Sequence, residues 1–322
     1  MKRTGQNKGF TIVELLTVMA VIALLIGLLV PALSMVKDRG KEIQQKAQFH
    51  ATTTGLEMFK ADFGDYPESN DNSINTVSSP QKLADNRPYC GANKLAETMV
   101  GLDYLGFHPN SDFRADGMNT VVDKTSASVV QTVYWAYDNT QQNWQTADEN
   151  IQARKGPYLE LENANAFLMD EVYTTFPGGS GFTPAFTLAG VNKYPLVLCD
   201  VYARKRGGIG GKKTGTPILY FRARTNFSIQ NSALPADMEN SIYYFGDNAR
   251  ILDLGMPDTG VPHTLFTGAS NEFVNFDDMI VNKNVQAVRR PYRAGSFILW
   301  SAGKDGSFGT GDDIFNFTKD AE

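Results

Sequence analysis

The fold of this protein is decided near its N-terminus, where residues 9–36 read GFTIVELLTVMAVIALLIGLLVPALSMV. From Leu15 to Val36 this stretch holds 22 residues without one formal charge. A helix of that length measures about 33 Å, which matches the hydrocarbon core of a bilayer. The stretch therefore predicts a membrane-spanning helix segment over residues 10–36.

The residues before the apolar stretch indicate its orientation. Lys2, Arg3 and Lys8 are the only charged residues among the first nine. Positively charged flanks stay on the cytoplasmic side, so the large remainder of the chain is expected on the far side. Two alternatives fit the hydropathy: a plain single-pass anchor, and a secretory signal peptide, for which residues 32–34 (ALS) make a poor cleavage site.

Two details distinguish the stretch from a plain anchor. Glu14 places a carboxylate five residues into the apolar block that starts at Phe10, and such a charge costs about 2.5 to 3.5 kcal/mol at the bilayer centre and less near its edge. Gly9 separates the basic leader from Phe10. The octet of residues 9–16, GFTIVELL, closely resembles the N-terminal signal of type IV pilins and type II secretion pseudopilins.

The resemblance implies a processing site and an assembly residue. A prepilin peptidase would cut between Gly9 and Phe10 and methylate the new amine of Phe10, which removes the three leader charges that hold the segment to the cytoplasmic face. Glu14 would pair with the terminal amine of a neighbouring subunit, a charge-assisted contact strengthened by low dielectric. The alternative for Glu14 is a carboxylate that simply lies at the membrane interface.

The same resemblance implies a structural function. The chain would be a subunit of a type II secretion pseudopilus that polymerises with itself or with other pseudopilins at an inner-membrane assembly platform. Before assembly it would cross the bacterial inner membrane once with its C-terminus in the periplasm, and afterwards it would stand in a periplasmic or cell-surface filament. Two alternatives are a minor or tip pilin that binds a surface, a glycan or DNA, and a membrane-tethered periplasmic enzyme.

The helix is expected to continue as an amphipathic segment over residues 37–66, and residues 64–67 (GDYP) read as its stop. Residues spaced by three or four predict its buried stripe: Ile43, Ala47, Ala51, Thr54 and Met58, widened by Leu56, Phe59 and Phe63. The expected fold is α+β and pilin-like, with this helix packed on an antiparallel sheet. Residues 67–322 would form an enlarged, β-rich globular domain, in which the strand-like segments 194–202 and 218–224 are neighbours.

The C-terminal segment, residues 301–314, reads SAGKDGSFGTGDDI and gathers three carboxylates between glycines. Ca²⁺ takes six to eight oxygen ligands, which such a loop can supply. The segment resembles the C-terminal calcium loop of major pseudopilins, which implies Asp305, Asp312 and Asp313 as ligands, with Ser301 and Thr310 as weaker candidates. The alternative is an acidic turn that joins two strands.

Three other features of the sequence limit the functions that the protein could have. Cys90 and Cys199 would face an oxidising compartment after export, where they would form either a disulfide or two buried thiols. The three histidines stand far apart and outside any HExxH pattern, so we expect no enzyme. From Phe10 onward the net charge is −8, which gives no electrostatic reason to bind nucleic acid.

The resemblance covers the N-terminal octet, its helix and the C-terminal loop. The residues between them are more numerous than those in the globular domain of a typical major pseudopilin. Segments 154–160 (RKGPYLE) and 290–293 (RPYR) look like those of enlarged pseudopilin-like proteins of planctomycete bacteria.

Overall fold

The structure is a computed structural model that describes twelve ranges of the chain: residues 9–70, 89–113, 118–122, 128–134, 147–173, 186–188, 191–193, 195–203, 213–231, 240–257, 259–266 and 272–319. Its helices are α1 (Ile12–Phe63), α2 (Gly91–Val100), α3 (Ala147–Ala153), α4 (Leu161–Ala164), α5 (Met169–Val172), α6 (Ala249–Asp253) and α7 (Glu272–Ile280). Its strands are β1 (Met118–Val122), β2 (Ser128–Thr132), β3 (Ala166–Leu168), β4 (Phe186–Leu188), β5 (Val191–Lys193), β6 (Leu196–Leu198), β7 (Leu219–Arg222), β8 (Phe297–Ser301) and β9 (Ile314–Phe315).

The chain divides into two compact units, residues 1–43 and residues 44–322. In the first unit, the large apolar side chains from Ile12 to Val36 are all exposed. Within the described ranges, α1 alone is long and apolar enough to cross a membrane. The predicted helix end is confirmed, because α1 stops at Phe63 and Gly64 follows with a φ of +88°.

The second unit is built around a three-stranded antiparallel sheet in the order β7-β8-β9. Leu219 pairs with Trp300, and Ser301 pairs with Ile314. All five residues of β8 are buried. The apolar side chains alternate between two hydrophobic clusters: Ile298 and Trp300 belong to one, and Phe297 and Leu299 belong to the other. Because successive side chains of a strand point to opposite faces, both faces of this sheet are covered.

One face of the sheet packs against α1 and α2. Phe49, Leu56 and Phe59 of α1 share a cluster with Tyr220 of β7 and Leu299 of β8. This confirms the expected arrangement of the second half of the long helix on an antiparallel sheet.

The opposite face of the sheet packs against α6 and α7. Phe276 of α7 stacks on Trp300 with ring centroids 6.0 Å apart and lies 5.0 Å from the ring of Phe221. The described part of the body thus combines helices and strands, in an α+β arrangement.

The buried stripe of α1 differs from the predicted one. Leu56 and Phe59 are buried as expected, but Ile43 and Met58 are 67% and 53% exposed. The buried face instead runs through Gln45, Gln48, Phe49, Thr52, Gly55, Leu56 and Phe59. Two glutamines, Gln45 and Gln48, are buried there, and each has one end of its side-chain amide bonded to the neighbouring backbone.

Both of those backbone partners lie just after β6. The Val201 N–H donates to Gln45 Oε1 at 2.9 Å, and Gln48 Nε2 donates to the carbonyl oxygen of Cys199 at 2.9 Å. A polar side chain can be buried at little cost when it is hydrogen-bonded. A hydrophobic pattern does not reveal such a partner, so the predicted stripe fell partly on the wrong face of the helix.

The remaining strands form two-stranded antiparallel pairs, β1 with β2, β3 with β6 and β4 with β5. The predicted neighbours 194–202 and 218–224 do lie side by side. Cys199 and Pro217 form an antiparallel bridge, and the Ile218 N–H donates to the Leu198 oxygen at 2.7 Å.

Candidate functional site

Gly9 and Phe10 lie outside the helix, just before α1 begins at Ile12. Both are exposed, and the Phe10 side chain is 76% exposed. The bond predicted to be cut therefore stands in accessible, non-helical backbone. The leader itself, residues 1–8, lies outside the described residues.

Thr11 and Glu14 form a reciprocal hydrogen-bonded pair at the start of α1. The Thr11 N–H and its hydroxyl donate to Glu14 Oε2 at 2.9 and 2.7 Å, and the Glu14 N–H is 3.2 Å from Thr11 Oγ1. This is a capping box, which satisfies two backbone donors at a helix N-terminus. The Thr-x-x-Glu pattern of residues 11–14 is the sequence signature from which this capping box could have been predicted.

The capping box engages one oxygen of the Glu14 carboxylate. Within the described ranges Oε1 makes no hydrogen bond, and both residues of the box are exposed. Glu14 therefore caps its own helix while half of its carboxylate stays available to a second group.

At the other end of the chain, Asp305 and Asp312 face each other across the loop of residues 301–314. The Asp305 N–H donates to Asp312 Oδ2 at 2.9 Å, and the Thr310 hydroxyl donates to Asp312 Oδ1 at 2.5 Å. Burial and the nearby Asp312 carboxylate raise the pKa of Asp305, against the Ser307 N–H and the Thr310 hydroxyl. Burial raises the pKa of Asp312, yet hydrogen bonds from Thr310 and the loop backbone together hold it below its ordinary value.

Asp313 points to different partners. Its Oδ2 accepts the N–H groups of Gly309 and Thr310 at 2.8 and 3.1 Å. Burial raises the pKa of Asp313 to about 8, although the Gly309 N–H, the Trp300 side chain and the Thr310 N–H oppose this shift. Asp313 thus stabilises the conformation of the loop backbone at residues 309 and 310.

The two weaker ligand candidates are also engaged. The Ser301 hydroxyl donates to Asp200 Oδ2 at 3.0 Å, whereas Thr310 stays beside Asp312. Across the described ranges, no three His, Cys, Asp or Glu side chains converge in the manner of metal ligands. The structure therefore brings Asp305, Asp312 and Thr310 together and holds Asp313 and Ser301 on neighbouring contacts.

Cys90 and Cys199 are both buried thiols. They belong to the same hydrophobic cluster, with Cys90 just before α2 and Cys199 just after β6. Of the two arrangements left open by the sequence, the structure contains the buried thiols.

Comparison with known proteins gives a match to a family model and a similarity to a curated protein. Residues 5–30 match the family model described as the prokaryotic N-terminal methylation motif. The chain is also similar to type II secretion system core protein G of Escherichia coli (strain K12), with 30% identity over 80 residues. These residues cover 25% of this chain and 55% of that protein, so the chain spans about half the length of the relative. No solved structure matches the chain.

These matches agree with the exposed apolar start of α1 and with the packing of its second half on an antiparallel sheet. The methylation motif and the similarity to core protein G support the assignment of this chain to the type IV pilin and pseudopilin family.

Proposed function

We propose that this protein is a structural subunit of a type II secretion pseudopilus. It is anchored by α1 in the bacterial inner membrane, processed between Gly9 and Phe10, and then extracted into a filament at the assembly platform. The growing filament pushes exported proteins through an outer-membrane channel. No catalytic step by this chain is part of the proposal.

One observation carries the proposal: the apolar side chains from Ile12 to Val36 are exposed along a helix whose first turn holds a carboxylate. Such a surface requires a bilayer or other apolar helices around it. A permanent anchor has no use for Glu14. In a bundle of like helices, its available oxygen accepts the methylated amine of a neighbouring Phe10, and removal of the leader creates that amine.

The test is to express the full chain with a prepilin peptidase and read the mature N-terminus by mass spectrometry. We expect loss of residues 1–9 and one added methyl group on Phe10. A Gly9→Val variant is the matched control and should stay uncleaved. An intact N-terminus in the wild type, or cleavage near residues 32–34, would contradict the proposal.

We further propose that the loop of residues 301–314 binds Ca²⁺. Asp305 and Asp312 are the ligands that fit best, because their carboxylates face each other and a cation between them would relieve their repulsion. Asp313, Ser301 and Thr310 would join or support them. The ion would hold the end of the chain, including β9, against β8.

The metal proposal is tested by thermal unfolding of the full chain in detergent with and without a calcium chelator. Chelation should lower the melting temperature of the wild type and leave that of Asp305→Ala unchanged. Asp148→Ala removes an exposed acid of α3 and serves as control, with the same chelator shift as wild type. Equal melting of the wild type in both conditions would remove the calcium proposal.

A minor or tip subunit is the second candidate function, because the similarity to core protein G covers 25% of the chain and leaves a large body for other contacts. Subunit stoichiometry in sheared filaments distinguishes the two, and pulldown against glycans, surfaces and DNA tests the tip role. The candidate from another class, a membrane-tethered periplasmic enzyme, is tested by hydrolase assays on the full chain, for which we expect no activity.

A further inference from the structure

A cavity of about 270 Å³ lies in the unit of residues 44–322, between α1 and the segment after β9. Among the described residues, its lining includes two cationic side chains, an imidazole and three phenyl rings, and no Asp or Glu. These residues are Lys46, Arg293, His50, Phe49, Phe315 and Phe317. In a chain of net charge −5, this lining has the opposite sign to the protein as a whole.

Arg293 is the cation best placed to hold a ligand in this cavity. Its Nε donates to the carbonyl oxygen of Phe297 at 3.1 Å, and its guanidinium lies 5.2 Å from the Phe297 ring. Among the described residues, Nε is the one nitrogen of this guanidinium that makes a hydrogen bond, and the group makes no ion pair. A guanidinium in this state offers two parallel N–H donors, the arrangement that a carboxylate accepts best.

The backbone of Arg293 is strained at the same point. Its φ is +51°, a left-handed conformation that residues with a side chain rarely adopt. The Tyr243 hydroxyl and the Ser296 N–H hold it there by donating to its carbonyl oxygen at 2.6 and 2.9 Å. Backbone strain of this kind persists where surrounding contacts enforce it, and it clusters at ligand sites.

The aromatic side chains of the cavity are held in place by their neighbours before any ligand binds. Phe317 is stacked between Tyr292 and Phe315, with ring centroids 4.5 and 4.8 Å away. The side chain of Asn316, between the two phenylalanines, donates to the oxygen of Phe297 at 3.3 Å. A rigid wall loses little freedom when a ligand binds, which favours affinity.

We propose that this cavity binds a small organic anion in which a carboxylate is joined to an aromatic or branched apolar group. Arg293 and Lys46 hold the carboxylate, and the apolar part contacts the edges of the Phe315 and Phe317 rings. Neither the filament function nor the calcium loop is needed for this binding.

The test is a titration of the full chain in detergent micelles with benzoate, followed by NMR chemical shifts of residues 46–53 and 315–318. Benzyl alcohol, which has the same ring without the charge, is titrated in parallel. We expect saturable shifts with benzoate, and binding weaker by about tenfold or more in Arg293→Gly and in Lys46→Gln. Glycine suits the positive φ of position 293, so that variant should melt no lower than wild type.

Arg290→Gln is the matched control, because it removes an exposed arginine of the same segment that does not line the cavity. Its benzoate affinity should stay within about twofold of wild type. The absence of a saturable shift in the wild type, equal affinity of Arg293→Gly, or equal binding of benzyl alcohol would each overturn the proposal.

Discussion

At the scale of single residues, Thr11 and Glu14 link the capping of a helix to the proposed assembly contact. The capping box needs an oxygen acceptor at position 14, whereas the contact with a neighbouring amine needs a negative charge. The two roles can therefore be separated by substitution.

We predict that Glu14→Gln leaves the formation of α1 unchanged and prevents filament assembly. The amide oxygen still accepts from Thr11, so the circular dichroism spectrum in micelles should match that of wild type. The yield of sheared filaments should fall by tenfold or more, because an uncharged partner loses about 1.4 kcal/mol or more of binding free energy at a desolvated contact. Thr11→Val removes the capping hydroxyl at a cost of about 0.5 to 2 kcal/mol of helix stability but leaves the charge, and it should still assemble. Filaments of Glu14→Gln at wild-type yield would contradict the assigned role.

Glu97 is a second residue with a distinct environment, a carboxylate buried in the middle of α2. The hydroxyls of Tyr89, Ser111 and Tyr134 all donate to it, the last at 2.7 Å. Burial raises the pKa of Glu97 to about 7, although Ser111, Tyr134 and the positive charge of Arg154 oppose the shift. The folded protein therefore keeps this proton to a higher pH than the unfolded chain does.

Because the folded pKa is the higher one, Glu97 contributes stability below the ordinary pKa of 4.5 and loses it as the pH rises toward about 7. We predict that Glu97→Gln removes this loss, on the order of 3 kcal/mol, from the pH dependence of the unfolding free energy. Denaturant titrations of both proteins across this range provide the measurement. Glu162→Gln, an exposed glutamate of α4, should follow the wild-type curve, and an unchanged curve for Glu97→Gln would refute the shift.

At the scale of elements, α2 approaches β7 so closely that a glycine is required at its first position. A Cβ on Gly91 would lie 2.2 Å from the Tyr220 carbonyl oxygen and 2.9 Å from Asn248 Nδ2. Alanine gains at most about 1 kcal/mol of helix propensity over glycine, whereas overpacking against backbone costs about 1 to 3 kcal/mol or more. The clash outweighs the propensity.

We therefore predict that Gly91→Ala lowers the melting temperature of the protein. Gly40→Ala is the matched control, because a Cβ at Gly40 meets nothing within 4 Å. In α1 that change should leave the melting temperature unchanged or raise it slightly. Thermal unfolding of the two variants side by side decides the matter, and a Gly91 variant that melts with wild type would show that α2 can shift away from β7.

At the scale of the whole molecule, the hydrophobic clusters that cover the central sheet lie within residues 49–315. The apolar side chains of residues 12–36 are exposed. The folding of residues 44–322 thus depends on the burial of apolar side chains within that unit.

We predict that a chain beginning at Lys37 folds without detergent and melts within a few degrees of the full chain in micelles, because it keeps both clusters. Circular dichroism would follow the transition. A non-cooperative transition, or a large drop in melting temperature, would mean that the N-terminal part of α1 contributes to the stability of the body.

The sequence by itself determined the N-terminal helix of this protein. The octet of residues 9–16 and the uncharged run after it are local and continuous, so the motif, the helix and its end near Gly64 follow from residue order alone. The same holds for the strands β6 and β7, which the segments 194–202 and 218–224 predict. No partner from elsewhere in the chain is needed to recognise them.

Only the tertiary structure decided which face of α1 is buried and how the C-terminal acids are used. Gln45 and Gln48 enter the core, where backbone groups of residues 199 and 201 each bond one end of a side-chain amide. Asp313 turns to the loop backbone while Asp305 and Asp312 face each other. The physical reason is common to both: the cost of burying a polar group depends on a partner that is distant in sequence or set by the turn of a loop, and residue spacing contains neither.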